Sequence, residues 1–299
     1  MNRPVRLASL CLAAIIPCSG AAQGQGGGRC ELLAPVIAPT SVTATYDPFD
    51  AQPTEQQFSV EMRTAGDCPA NRALFLRLGS DEINRVSGRQ IELRSGGGGT
   101  LLARVGDRAG DDSVPRGVGG NQVQVRPGAN TLYLVVPRGQ VVAPGVYRAD
   151  LRTESRTDLG QPHSGPTSPL QLVVTVSPSV GLAAATGGRT LDFGELSDGA
   201  TTNPVTFDAY ANVNYELALE SDNGFRLIAD RSGAGPSVCY VARLDGRTVD
   251  PASNVAFSTP TQRARRRHAL DAMVPSIVGA PAGRYRDSLT VTISPRVTG

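Results

Sequence analysis

Residues 132–151 read LYLVVPRGQVVAPGVYRADL, and residues 270–289 read LDAMVPSIVGAPAGRYRDSL. The stretches align without a gap at an offset of 138, with seven identities: Leu132/Leu270, Val136/Val274, Pro137/Pro275, Gly145/Gly283, Tyr147/Tyr285, Arg148/Arg286 and Leu151/Leu289. Each is an apolar run, a Pro turn, a Pro/Gly turn and a second run, the pattern of two β-strands joined by a loop. After the first copy comes another apolar stretch, PLQLVVTVSP (169–178). After the second the sequence reads SLTVTISPRVTG (288–299). One unit is therefore expected to carry its last strand and the other to lack it, leaving a sheet edge open for assembly.

Outward from the repeat, short runs with period-two alternation recur, as half-buried antiparallel strands require. QQFSVEMRT (56–64) and NQVQVR (121–126) are clear cases, and ALFLRL (73–78), TLDFG (190–194), NYELALES (214–221) and VCYVARL (238–244) follow the same reading. Turn formers such as DPFD (47–50) and SGGGG (95–99) separate them. No segment combines a sustained helical period with caps. The polar stretch TESRTDLGQPHSGPTS (153–168) reads as a surface hairpin loop. The fold class expected is all-β: two immunoglobulin-like β-sandwich domains, 23–176 and 177–299, the second without its final strand.

Residues 1–22 read as a secretory signal: Arg3 and Arg6, then LASLCLAAII (7–16), then small residues up to Ala22. The apolar part is too short to span a bilayer, and nothing later approaches the ~20 apolar residues a spanning helix needs. Pro17 directly before Cys18 makes a poor lipidation site.

Formal net charge is +2, so no global field points to nucleic acid. The chain has no Lys, which excludes a P-loop and a Schiff base. Trp is absent and aromatics are 5%, so stacking platforms for bases or sugars are scarce. The only histidines, His163 and His268, have no Cys or carboxylate at metal spacing. No G-x-S-x-G elbow is present, and RSGGGGT (94–100) lacks the Lys of a phosphate loop. Neither an enzyme nor a cofactor or metal site is expected. QRARRRH (262–268), with Arg263, Arg265, Arg266 and Arg267, reads as a solvated run or an anion contact. Beyond the signal three cysteines remain, Cys30, Cys68 and Cys239. Export permits disulfides, and Cys30 with Cys68, both in the first unit, is the pair expected. Cys239 is left over, as a small buried hydrophobe or, alternatively, a reactive or intermolecular thiol.

TATYDPFDAQP (43–53), Cys30, Cys68 and the 132–151 repeat, with LDFGELSDG (191–199) and PSIVGAPAGRYRDSLTVTISP (275–295), give the chain a family likeness. It resembles spore coat protein U domain proteins, which include subunits of archaic, Csu-type chaperone–usher pili. The resemblance implies a pilin fold whose missing strand is supplied by another polypeptide. The partners implied are a periplasmic chaperone, an outer-membrane usher and the next pilus subunit. The stretch QGQGGGR (23–29) has no apolar side chain with which to fill a groove. With a complete first unit, this implies an exported, cell-surface tip subunit that accepts a strand and donates none. Its expected function is adhesion that supports biofilm formation, to a target the sequence does not name. A spore-coat-like or pilus-shaft protein, or a secreted carbohydrate-binding sandwich, is the alternative. Candidate contact loops, expected far from the linker, are 95–102, with Leu101 and Leu102, and 113–120, with Val114, Pro115 and Val118; alternatively these residues begin buried strands, and no binding residue is assigned.

Overall fold

The computed structural model describes residues 30–66, 68, 74–80, 86–87, 90–106, 122–157, 166–183, 190–230, 236–250, 254–258 and 265–296. All regular structure among them is β, and none of these residues is helical.

The first strands are β1 (Glu31–Leu32), β2 (Val36–Ala38), β3 (Ser41–Tyr46), β4 (Thr54–Met62), β5 (Thr64–Ala65), β6 (Leu74–Ser80) and β7 (Val86–Ser87). Then come β8 (Gln90–Ser95), β9 (Thr100–Gly106), β10 (Gln122–Val125), β11 (Gly128–Val136), β12 (Gly145–Arg156) and β13 (Thr167–Val176). β10, β6, β12, β13 and β3 run side by side, and so do β8, β9, β11, β4 and β2. Tyr147 and Arg148 of β12, opposite Ser95 and Arg94 of β8, join the two rows. Period-two alternation points one face of each row inward: Phe58, Val60 and Met62 of β4 are buried, while Gln57, Ser59 and Glu61 are exposed. These residues share one core with Leu132 and Leu134 of β11 and Leu170, Leu172, Val174 and Val176 of β13. β13 lies antiparallel to β12 and parallel to β3.

A second group follows: β14 (Val180–Ala183), β15 (Val205–Ala211), β16 (Tyr215–Ser221), β17 (Arg226–Ala229), β18 (Ser237–Cys239) and β19 (Val241–Leu244). It ends with β20 (Arg247–Thr248), β21 (Val255–Phe257), β22 (Arg265–Met273), β23 (Tyr285–Arg286) and β24 (Leu289–Pro295). The sheet β14-β15-β22-β19-β20 is joined by two smaller ones, β21-β16-β24 and β18-β17-β23. They enclose a separate core built on Tyr215, Leu217, Leu244, Leu270 and Val274.

Local differences from the sequence reading have physical causes. TLDFG (190–194) is not a strand; Leu191 and Phe193 pack on the second core from a non-strand segment. β12 continues to Arg156 and β13 begins at Thr167, so the ends of the 153–168 stretch are strand rather than loop. Thr153 and Ser155 are buried there, and the carboxylate of Glu154 is held by Arg156 at 3.1 Å. The run 284–294 is interrupted at Asp287 and Ser288.

The repeat extends to hydrogen bonding. The hydroxyl of Tyr147 donates to the carbonyl of Ala143 at 2.8 Å, and the equivalent Tyr285 donates to Pro281 at 2.7 Å. Tyr46, from the YDP stretch, donates to the Pro137 carbonyl and accepts from the Gln140 amide, holding the loop between β11 and β12.

Candidate functional site

β12 and the pair β23–β24 are equivalent strands in different surroundings. β12 pairs with β8 and β6 on one side and with β13 on the other. β23 pairs with β17 and β24 with β16, matching β8 and β6. Among the described residues no strand takes the place of β13 beside β24.

The consequence is visible residue by residue. In β12 the inward side chains Tyr147, Ala149, Leu151, Thr153 and Ser155 are all buried. Their counterparts Tyr285, Asp287, Leu289, Val291 and Ile293 also alternate inward, but every one is half-exposed. The missing neighbour leaves a groove of about 770 Å³. Leu289 and Val291 of β24 line one side and Leu182 of β14 another, with Leu191, Phe193, Phe207 and Leu270 also in the lining. Leu182 is 37% exposed, unusual for a Leu in a strand beside a core.

The groove lining carries one charged step, Asp287. Asp287, between β23 and β24, accepts hydrogen bonds from the hydroxyls of Ser221 and Tyr240, each at 2.5 Å. Its other oxygen accepts from the Asn223 amide and side chain and from the Ser288 amide. Burial, reinforced by that carboxylate, pushes the Tyr240 hydroxyl far above the usual tyrosine range, so it stays protonated and donating. Both Tyr240 and Asp287 line the groove.

Beside the groove wall, His268 links the buried Tyr215 to the exposed Asp245. His268 of β22 is fully buried, with Nδ1 2.9 Å from Asp245 and Nε2 2.7 Å from the Tyr215 hydroxyl. An ionised Asp only accepts, so Nδ1–H donates to it and Nε2 accepts from Tyr215. Phe207 and Phe257 pack on the ring, at 5.5 and 4.6 Å between centroids.

Cys30 and Cys68 are joined, with their Cα atoms 4.7 Å apart. Cys239 is exposed and free, not the buried hydrophobe expected: its neighbours Val238 and Tyr240 take the inward positions, and alternation turns the thiol out. Arg265 and Arg267 both hold Asp208, and the Arg265 hydrogen bond is the main cause keeping that carboxyl below its usual range. Arg266 lies over the Phe257 ring at 4.7 Å. The described part of the arginine run is thus engaged within the second strand group; Arg263, like His163, lies outside the described residues. No cluster of metal-ligating side chains occurs among the described residues.

The 95–102 turn is not far from the linker. Ser95 lies opposite Tyr147, and Gly145, two residues earlier in β12, lies opposite Val176, the residue before the linker. Leu101 is fully buried, and the Leu102 backbone is bonded in both directions to the Gln140 side chain. Leu101 and Leu102 are therefore core and loop anchors rather than an exposed apolar tip. The loop 113–120 lies outside the described residues. Sequence reading missed the groove floor, Phe193 and Phe207, and the Asp287–Tyr240 pair. Asp287 alone had a signal, a carboxylate at the place where the first copy has Ala149.

No protein family and no curated protein matches the chain. Among solved structures it is similar to the chaperone–tip adhesion subunit pre-assembly complex CsuC–CsuE of archaic chaperone–usher Csu pili of Acinetobacter baumannii. That likeness has 15% identity over 88% of this chain and 99% of that one, at a TM-score of 0.46. It is also similar to CfaE, the adhesive subunit of CFA/I fimbria of enterotoxigenic Escherichia coli (15% identity, 87% and 93% covered, TM-score 0.37). A third is the CupB6 tip adhesin of Pseudomonas aeruginosa (11% identity, 88% and 95% covered, TM-score 0.27).

Proposed function

We propose that this protein is a non-catalytic, exported subunit of a chaperone–usher pilus, placed at the tip, where it mediates surface attachment and biofilm formation. Residues 1–22 act as the export signal, 23–176 form the adhesive domain and 177–299 the pilin domain. The observation that carries the reading is the open edge of β24, whose inward side chains are half-exposed where those of β12 are buried. An apolar groove beside unpaired backbone invites aggregation unless a strand covers it. Strand addition satisfies both needs, the backbone ladder and the side-chain pockets. A periplasmic chaperone fills the groove during export; at the usher the next subunit's strand replaces it. The first group carries β13 in place and needs no such help. The likeness of the YDP and LDFG stretches to spore coat protein U domains supports the same assignment.

The test appends a copy of residues 167–176 after Gly299 of the full chain through a flexible Gly/Ser linker. Closing the groove should raise one thermal transition by at least ~10 °C, since ~1 kcal/mol moves a small domain by roughly 4–8 °C. A control copy with Asp at two inward positions should give no gain. Equal melting of all three chains would refute the reading.

A further inference from the structure

The strand β13 shows, within this chain, what the closing strand must look like. Its inward residues Leu170, Leu172, Val174 and Val176 lie opposite Leu151, Ala149, Tyr147 and Gly145. Shifted by the repeat offset of 138, those partners become Leu289, Asp287, Tyr285 and Gly283. Three of the four positions keep their residue. The fourth replaces a fully buried Ala149 with a carboxylate.

We propose that Asp287 and Tyr240 set the register of the incoming strand by requiring a small or hydroxyl-bearing residue opposite Asp287, with large apolar residues two places to either side. This rests on the groove being filled by a strand from another polypeptide.

Directly opposed residues bring their Cβ atoms within about 5 Å. A Leu opposite Asp287 would meet a bulkier side chain than Ala149 and set apolar surface directly against a charge. Asp287 cannot turn away. Five donors, from Ser221, Tyr240, Asn223 (two) and Ser288, fix both of its oxygens. Ser or Thr at that place keeps a small polar group beside the carboxylate, and Gly or Ala leaves room for it. A strand slipped by two residues would put a large apolar side chain on the carboxylate and a small one in the apolar pocket beside Leu289, so slippage is penalised twice. The same step weakens, without excluding, the fit of a strand of β13's own composition.

The test uses the full chain with appended copies of 167–176 and reads the melting midpoint. The copy carrying Leu172→Ser should melt about 5 °C above the unaltered copy, whereas Leu170→Ser and Val174→Ser should each melt about 5 °C below it. In a chain that also carries Asp287→Ala, the preference at the 172 place should reverse toward Leu, which isolates the pairing from general effects of either change. If Asp287→Ala does not fold, Asp287→Asn and the copy series on the unaltered chain still decide. Equal midpoints for the three Ser copies, or a loss at the 172 place as large as at the others, would overturn the polar step while leaving the groove reading intact. No gain from any copy would overturn both.

Discussion

Leu151 and Leu289 occupy the same place in two copies of one strand, but only Leu151 has a strand on both sides. It lies opposite Leu170 and is 3% exposed; Leu289 lies opposite Ser221 alone and is half-exposed. The environments predict unequal costs of truncation. Leu151→Ala should cost about 2–5 kcal/mol, as for a buried Leu that leaves a cavity. Leu289→Ala should cost roughly half as much, because less of its surface leaves water on folding. In a chain whose groove is filled by an appended strand, the Leu289→Ala cost should rise toward the Leu151 value. Denaturant midpoints of both variants with and without the appended strand measure this; a Leu289→Ala cost that does not change on filling would contradict it.

The disulfide bears on one of the two cores. Cys30 and Cys68 are 38 residues apart, and Cys68 lies just beyond β5, which pairs with β1. The replacement Cys30→Ser with Cys68→Ser should lower the stability of the first strand group by about 4 kcal/mol on the loop-entropy estimate. Calorimetry should show one transition moving and the other unchanged, since no buried side chain is shared between the two cores. A joint shift of both would mean that the groups unfold as one unit.

Much of this architecture is legible in the sequence, and the limits of that legibility are physical. The gapless repeat carries the pairing pattern of a whole strand, so the equivalence of β12 with the pair β23–β24 is legible before any contact is known. Strand polarity is harder. Cys239 is exposed because alternation through Val238 and Tyr240 decides its face, and a three-residue strand such as β18 gives too little pattern to fix that parity. The place of the 95–102 turn depends on pairing between β8 and β12, residues about 50 apart, which no local signal encodes. Thr153, Glu154 and Ser155 look like loop residues and lie in a strand because Arg156 and Arg77 neutralise the one charge among them. Asp287 stands inside the repeat, yet its role depends on Tyr240 and Ser221, which distant strands bring to it.

Gly99 is a second test of the corrected turn. A Cβ built there would sit 2.8 Å from the Tyr147 hydroxyl and 3.0 Å from Ser95 Oγ. That hydroxyl holds the Ala143 carbonyl, and Ser95 Oγ accepts from the Gly99 amide. Gly99→Ala should therefore cost about 1–3 kcal/mol by overpacking, although the turn is at the surface. Gly97→Ala, two residues away with nothing within 4 Å of its Cβ, should fall within about 0.5 kcal/mol of the parent. Chemical denaturation of the two variants compares them directly. Equal effects would mean that the Tyr147 contact does not constrain the turn.

His268 gives the second core a pH dependence whose sign follows from its surroundings. Burial is the larger influence and depresses its pKa; the hydrogen bond and charge of Asp245 oppose it, Arg266 adds to the depression and Asp208 opposes it. The net folded value is below the ordinary 6.5, so over the intervening range the unfolded chain binds the extra proton more readily. The contribution of a neutral His268 is thus complete above about pH 6.5 and is lost as pH falls through the depressed folded value. The slope it adds cannot exceed about 1.4 kcal/mol per pH unit. Urea midpoints of the second transition between pH 7.5 and 4.5 should fall more steeply in the parent chain than in His268→Gln. Carboxylates such as Asp208 titrate in both chains, so the difference between the two curves isolates the imidazole; parallel curves would refute the assignment. At pH 7.5 Tyr215→Phe should cost about 1–3 kcal/mol, because it leaves the Nε2 acceptor buried without its donor. That cost should persist or grow as the pH falls, since a protonated Nε2–H donates and would need the Tyr215 hydroxyl as its acceptor.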